Sequence, residues 1–181
     1  QTVSGMLHAL KTTGLTIPPA EKIARCEEII LNGIRSCLPE DGTEVISIPM
    51  EEQCDKISVA VHKARKSAPS ATIVSTAPLL SFENGGICIE MSRIVDLKGN
   101  MLGIGSRPGH PSITRQLVRC NKMIEGQPVI IAEDGSFTGG SLRHLIIKLQ
   151  EQKARIQAIV VGVLFPQAEE TIREVYSGEI I

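Results

Sequence analysis

The sequence predicts an α/β fold, a mostly parallel, doubly wound sheet with helices on both faces and one inserted β-hairpin. Three observations carry this expectation. Two apolar runs, Pro128 to Ala132 (PVIIA) and Ile156 to Leu164 (IQAIVVGVL), read as buried strands. Between them, from about Gly139 to Lys153, Leu142, Leu145, Ile146 and Leu149 recur at helical spacing. Strand, helix and strand in that order form a parallel unit with a right-handed crossover.

Taken in order, the elements support one domain over 1–181, with an N-terminal helical segment over 1–40 and a hairpin with its following loop over 86–111. Ile23, Ala24, Ile30, Leu31, Ile34 and Leu38 mark a helix from Ala20 to Leu38, with Pro18 and Pro19 before it and Pro39 after it. Thr43 to Ile48 reads as a short strand. Glu51 to Lys66 reads as a helix with Cys54, Ile57, Val61 and Ala64 on one face. Ala71 to Ala77 (ATIVSTA) is a buried strand of β-branched type. Gly86 to Asp96 and Met101 to Ile104 form the hairpin around a Lys98-Gly99-Asn100 turn. Ser106 to Pro111 (SRPGHP) is irregular, Ser112 to Ile124 a helix, and Gln167 to Tyr176 the last helix.

Composition removes several classes of function. Apolar residues at 42% and charged residues at 22% exclude a disordered chain. Nineteen basic against 20 acidic residues give a net charge of −1, which offers no global field for nucleic acid or an anionic membrane. With three Phe, one Tyr and no Trp, the chain does not resemble nucleic-acid modules that stack bases on aromatic platforms. No apolar run reaches the roughly 18 residues of a membrane span. The opening QTVSGMLHALKTTG lacks the basic stretch and long apolar core of a signal peptide. Cys26, Cys37, Cys54, Cys88 and Cys120 are odd in number and widely spaced, with no CxxC pair. They are expected to be reduced, mostly buried thiols of a cytoplasmic protein.

The chemistry concentrates in Val129 to Leu142, VIIAEDGSFTGGSL. A buried strand meets two acids, Glu133 and Asp134. A loop of small residues follows, and Ser141 stands at the mouth of a helix. Ligands of open α/β sheets bind at such strand-to-helix corners. The glycines admit a phosphate close to backbone N–H groups, the helix N-terminus adds about half a positive charge, and Thr138 and Ser141 offer hydroxyls. Carboxylates only accept hydrogen bonds, so the acids suit a vicinal diol or a magnesium ion instead. A phosphate at one end with a diol beside it describes a ribose 5-phosphate. There is no GxxxxGK[ST] and no GxGxxG after a strand, so neither a P-loop nor a dinucleotide fingerprint competes.

This segment resembles the phosphoribosyl pyrophosphate (PRPP) motif of type I phosphoribosyltransferases, in which four apolar residues and two acids precede a loop x-x-T-T-G-x-[ST]. EDGSFTGGS aligns with it without a gap, and is most similar to the EDxxTTGGS form of the orotate enzymes. IEGQPVIIAED resembles the approach to that motif, and the layout of Ile156 to Tyr176 is similar. The resemblance covers about the last third of the chain. It implies a sheet of phosphoribosyltransferase type and a Mg-dependent transfer of phosphoribosyl between PRPP and a base. In it, Glu133 and Asp134 are the catalytic and metal-binding acids that hold the ribose hydroxyls, and Gly135, Ser136, Phe137, Thr138, Gly139, Gly140 and Ser141 wrap the 5′-phosphate. It further implies a mobile hood over pyrophosphate, for which the hairpin and SRPGHP, with Arg107 as a substrate ligand and His110, Arg115 and Arg119 nearby, are the counterpart. The expected partner is PRPP or a phosphoribosyl nucleotide, the expected cofactor magnesium, and the expected assembly a homodimer.

Two residues depart from the motif. Gly135 replaces an apolar residue and Phe137 replaces Thr or Asp, which removes a side-chain oxygen. The pyrophosphate loop has only two weak counterparts, Ser75 to Pro78 and Asn84-Gly85-Gly86. The intact acid pair and loop length favour an enzyme. The departures favour the alternative, a non-catalytic module of the same fold that senses a phosphoribosyl ligand or regulates a partner. An unrelated α/β phosphosugar binder is a third reading.

Overall fold

The structure, a computed structural model, describes residues 16, 18–38, 45–78, 80 and 86–181. It divides into two units, Gln1–Gln53 and Cys54–Ile181. In the first, helix α1 (Ala20–Ser36) starts behind Pro19, whose carbonyl accepts from the N–H groups of Lys22 and Ile23 at 2.9 and 3.2 Å. Glu21 in the first turn and Arg35 in the last complement the helix dipole. None of its residues is buried. The strand expected at Thr43 to Ile48 is not formed. Thr43 and Glu44 lie outside the described residues, and Val45 to Ile48 are irregular. Alternation alone does not make a strand without a neighbour to complete its ladder, and none pairs there among the described residues.

Helix α2 (Met50–Arg65) supplies Ile57, Val61 and Ala64 to the core of the second unit. Strand β1 (Thr72–Ser75) follows, then β2 (Ile87–Cys88). Strands β3 (Met91–Val95) and β4 (Met101–Ser106) form an antiparallel hairpin. Two short helices, α3 (Ile113–Arg119) and α4 (Asn121–Ile124), lead to β5 (Pro128–Ser136), α5 (Gly140–Glu151), β6 (Arg155–Leu164), α6 (Pro166–Arg173) and β7 (Glu179–Ile180). The main sheet has the order β2-β1-β5-β6-β7 with every pairing parallel, so the expected α/β class with a mostly parallel sheet and a separate hairpin is what forms.

Both faces of the sheet are covered, because successive side chains of a strand point to opposite sides. Ile130 and Ala132 of β5 and Ala158 and Val160 of β6 pack with Ile57 and Val61 of α2. Val129, Ile131, Ile159 and Val161 pack on the other face with Leu142, Leu145, Ile146 and Leu149 of α5 and Ile172 of α6. The fully buried Val, Leu and Ile side chains among them each contribute roughly 1.5–3 kcal/mol.

Several boundaries differ from expectation. The hairpin spans Met91 to Ser106 rather than starting at Gly86. Ile87 and Cys88 instead pair in parallel with Val74 and Ser75, and the Ile89 N–H donates to the Ser75 carbonyl at 2.8 Å. The helix expected from Ser112 to Ile124 breaks at Cys120, where the Cys120 N–H donates back to Gln116 and Leu117. Strand β5 runs four residues past Ala132, because β6 continues beside it as far as Ser136 opposite Leu164. Its pairing with β1 ends earlier, at Val74 opposite Ile131. A final strand, β7, adds Glu179 and Ile180 in parallel beside Ala158 and Ile159, beyond the last expected helix. The cysteines are all free, yet none is buried. Cys26, Cys37 and Cys88 are exposed, the first two because they lie in and just after the unburied α1, the third because β2 is the outermost strand.

Candidate functional site

The carboxyl ends of β1, β5 and β6 come together at one edge of the sheet. Glu133 stands there on the face of Val129 and Ile131, and Asp134 on the face of Ile130 and Ala132. Glu133 is 5% exposed, and its Oε1 accepts the N–H of Thr76 at 2.5 Å. Burial pushes its carboxyl up to about 7, with Asp134 adding to the rise, while the Thr76 bond and the Arg107 charge pull it down. Asp134 Oδ1 accepts the Gly135 N–H at 2.8 Å. Asp134 lies close enough to Cys54 of α2 that its charge, after burial and Asp55, raises that thiol's pKa.

Beyond the acids, the chain leaves β5 through Phe137 and Thr138, both exposed, and enters α5 at Gly139. Gly139 has a φ of 76°, and a Cβ there would stand 2.7 Å from the Ala168 carbonyl oxygen and from Thr171 Cβ of α6. Only glycine meets both demands. No side chain caps α5, so neither Thr138 nor Ser141 closes off its first turn. The first-turn N–H groups have no intrahelical partner, and this is the donor arrangement expected for a phosphate. Gly135 through Ser141 are thus brought into one strand–loop–helix corner.

Arg107 is placed differently from expectation. Its guanidinium donates to the carbonyls of Thr76 at 2.9 Å and Met91 at 3.2 Å and pairs with Glu90 at 3.3 Å. It fastens the hairpin to the loop after β1 instead of reaching freely toward a ligand. Arg115 and Arg119 lie on the exposed side of α3. The Ser75 to Pro78 loop uses its donors internally, Thr76 N–H to Glu133 and Ala77 N–H to Ser75 Oγ at 2.9 Å. Asn84 and Gly85 of the other pyrophosphate-loop candidate lie outside the described residues, as does His8.

Gln116 is a residue the sequence did not mark. It is buried, accepts the Glu90 N–H at 2.8 Å, and donates to the carbonyls of Glu90 at 3.0 Å and Pro111 at 2.8 Å. It fixes the point where the chain leaves the sheet for the hairpin. A polar residue at an apolar helical position was the available signal. Partial burial of its sulfur and the neighbouring Glu90 carboxylate push the Cys88 thiol up to about 11.

Magnesium does not fit the acid pair as a protein-built site. The two carboxylates turn to opposite faces and Glu133 is buried against Thr76. Among the described residues no three His, Cys, Asp or Glu side chains gather for a metal. Among the same residues, no helix is long and apolar enough to cross a membrane.

No family model matches the chain, and no curated protein does. Solved structures of similar arrangement include adenine phosphoribosyltransferase from Saccharomyces cerevisiae, complexed with D-2,5-dideoxy-2,5-imino-altritol 1,6-bisphosphate and adenine. It has a TM-score of 0.45 and 13% identity, over 80% of this chain and 90% of that one. A second adenine phosphoribosyltransferase has a TM-score of 0.46 and 14% identity, over 72% of this chain and 77% of that one.

Proposed function

We propose that the corner from Glu133 to Ser141 binds PRPP or a phosphoribosyl nucleotide and that the chain transfers the phosphoribosyl group to or from a base. One observation carries the reading. The acids, the small-residue loop and the uncapped first turn of α5 follow one another at the carboxyl edge of a central parallel strand, and Gly139 adopts the left-handed conformation that opens the helix. A 5′-phosphate would take the N–H groups of the loop and first turn, and the ribose hydroxyls would lie toward Asp134, the less buried of the two acids. The protein's share of the chemistry is to hold the sugar and to exclude water from the cation-like centre that forms as pyrophosphate leaves. In this reading magnesium arrives on the ligand's diphosphate, and the compartment is the cytoplasm.

The second reading, a ligand-sensing module without turnover, is favoured by Arg107. The cation expected over pyrophosphate is already held by Thr76, Met91 and Glu90. Calorimetric titration with PRPP and magnesium, followed by a screen of bases for pyrophosphate release, tests both. Binding with release supports the transferase and binding without release the sensor. Absence of binding refutes both.

A further inference from the structure

Two residues past the last pair of β1 and β5, Val74 opposite Ile131, Thr76 stands beside Glu133. Charged side chains hold its backbone on both sides. The Glu133 carboxylate accepts the Thr76 N–H, and the Arg107 guanidinium donates to the Thr76 carbonyl at 2.9 Å. Arg107 is itself paired with Glu90 at 3.3 Å. The next N–H, of Ala77, donates to Ser75 Oγ at 2.9 Å, and Pro78 has none to give. The Ala77 carbonyl accepts the Leu80 N–H at 3.1 Å, which closes the turn. Thr76, Ala77 and Pro78, at the carboxyl end of an interior parallel strand, thus offer no backbone donor to a ligand. The group that takes the first of these donors is a carboxylate, 5% exposed, and near enough to Arg107 to feel its charge.

Backbone N–H groups in a turn, with a guanidinium beside them, are donors for an anion, and here the anion is the chain's own. We propose that Glu133 is an internal anion that fills the loop after β1, so that the corner takes one phosphate group and selects a pentose phosphate monoester over PRPP. The proposal rests on the phosphoribosyl reading of the same corner and narrows its ligand. On the α5 side no side chain caps the first turn, and its N–H groups can answer one phosphate. On the β1 side a further phosphate group would have to displace Glu133 from Thr76. It would meet the carboxylates of Glu133 and Glu90 beside an Arg107 that Glu90 already pairs. Juxtaposed like charges oppose binding, so the diphosphate of PRPP stays in water and adds nothing to affinity. Glu133 then determines specificity by occupying a place, without touching the sugar, and the ribose is left to Asp134.

Calorimetric titration of the full chain with ribose 5-phosphate and with PRPP tests this, both with magnesium and at pH 8, where Glu133 is ionised. PRPP is expected to bind no more tightly than ribose 5-phosphate. Glu133→Ala removes the internal anion and should let PRPP gain roughly tenfold or more over ribose 5-phosphate. Glu133→Gln, whose amide oxygen can still accept the Thr76 N–H, should keep the parent's ratio. In the parent, the amide resonances of Gly140 and Ser141 should move with either ligand and that of Thr76 with neither, which reads the loop even where the alanine variant does not fold. PRPP binding more tightly than ribose 5-phosphate to the parent, or a Thr76 resonance that moves with PRPP alone, overturns the proposal and leaves the phosphoribosyl reading standing. So does a folded alanine variant with the parent's ratio. Failure of both ligands to bind overturns the phosphoribosyl reading itself and this proposal with it.

Discussion

The Glu133 carboxylate accepts the backbone N–H of Thr76, so the buried acid of one strand anchors the loop that leaves its neighbour. Its proton is held up to about 7 from an ordinary 4.5, chiefly by burial. Between those values the folded chain keeps a proton that the unfolded chain has released. The unfolded state binds fewer protons there, so stability falls as pH rises through the window and levels off above it. The loss is on the order of 3 kcal/mol. Glu133→Gln keeps an acceptor for Thr76 and removes the charge. Denaturant unfolding of both proteins from pH 4.5 to 8 should show the variant gaining on the parent as pH rises. Parallel curves would refute the assignment.

Adjacent glycines in the loop should respond in opposite ways. Gly139→Ala places a methyl against the Ala168 carbonyl in a left-handed backbone and is expected to cost roughly 2–4 kcal/mol. A methyl at Gly140 meets only Met101 Cε and Thr138 Oγ1, both at 3.9 Å, so Gly140→Ala should be neutral or stabilise the first turn of α5 by up to about 1 kcal/mol. Thermal melts of the two variants decide it, and equal melting points would contradict the packing of Gly139 on α6.

Gln116→Leu leaves the N–H and carbonyl of Glu90 and the carbonyl of Pro111 without their side-chain partner. The expected loss is roughly 2–4 kcal/mol in a chemical-denaturation experiment. A change under about 0.5 kcal/mol would mean that water replaces the amide at no cost.

The acid pair can be tested on ligands directly. Glu133→Gln combined with Asp134→Asn keeps shape and removes charge. The lost charge-assisted bond from Asp134 to a ribose hydroxyl should weaken PRPP or nucleotide by about 1.5–3 kcal/mol, while inorganic phosphate binds as before or better. Calorimetry showing equal weakening of both would mean that the acids only shape the loop.

The β5–α5–β6 unit was legible because uninterrupted apolar runs and a helical stripe have few alternative folds. The corner was legible for the same reason, since small residues and acids after such a run leave little else to build. What stayed hidden depends on partners distant in sequence. Glu133, Asp134 and Gly135 are poor strand formers alone and extend because β6 pairs with them. Ile87 and Cys88 look like the start of a hairpin until Val74 and Ser75 claim them. Arg107 read as a free cation because nothing local announces the carbonyls of Thr76 and Met91. Gln116 gave only a weak signal because the groups it satisfies belong to a connection 26 positions earlier.

The unequal lengths of the sheet's strands have a consequence for amide exchange. From Glu133 to Ser136 the β5 backbone has a ladder on its β6 edge only, and on this stretch the Gly135 N–H is answered by the carboxylate of Asp134. Deuterium should enter this two-stranded tongue well before it reaches Ile130 and Ile131, which are paired on both sides. An occupant of the corner would slow uptake in the tongue and leave the flanked residues as they were, so that the same peptide carries both the signal and its internal reference.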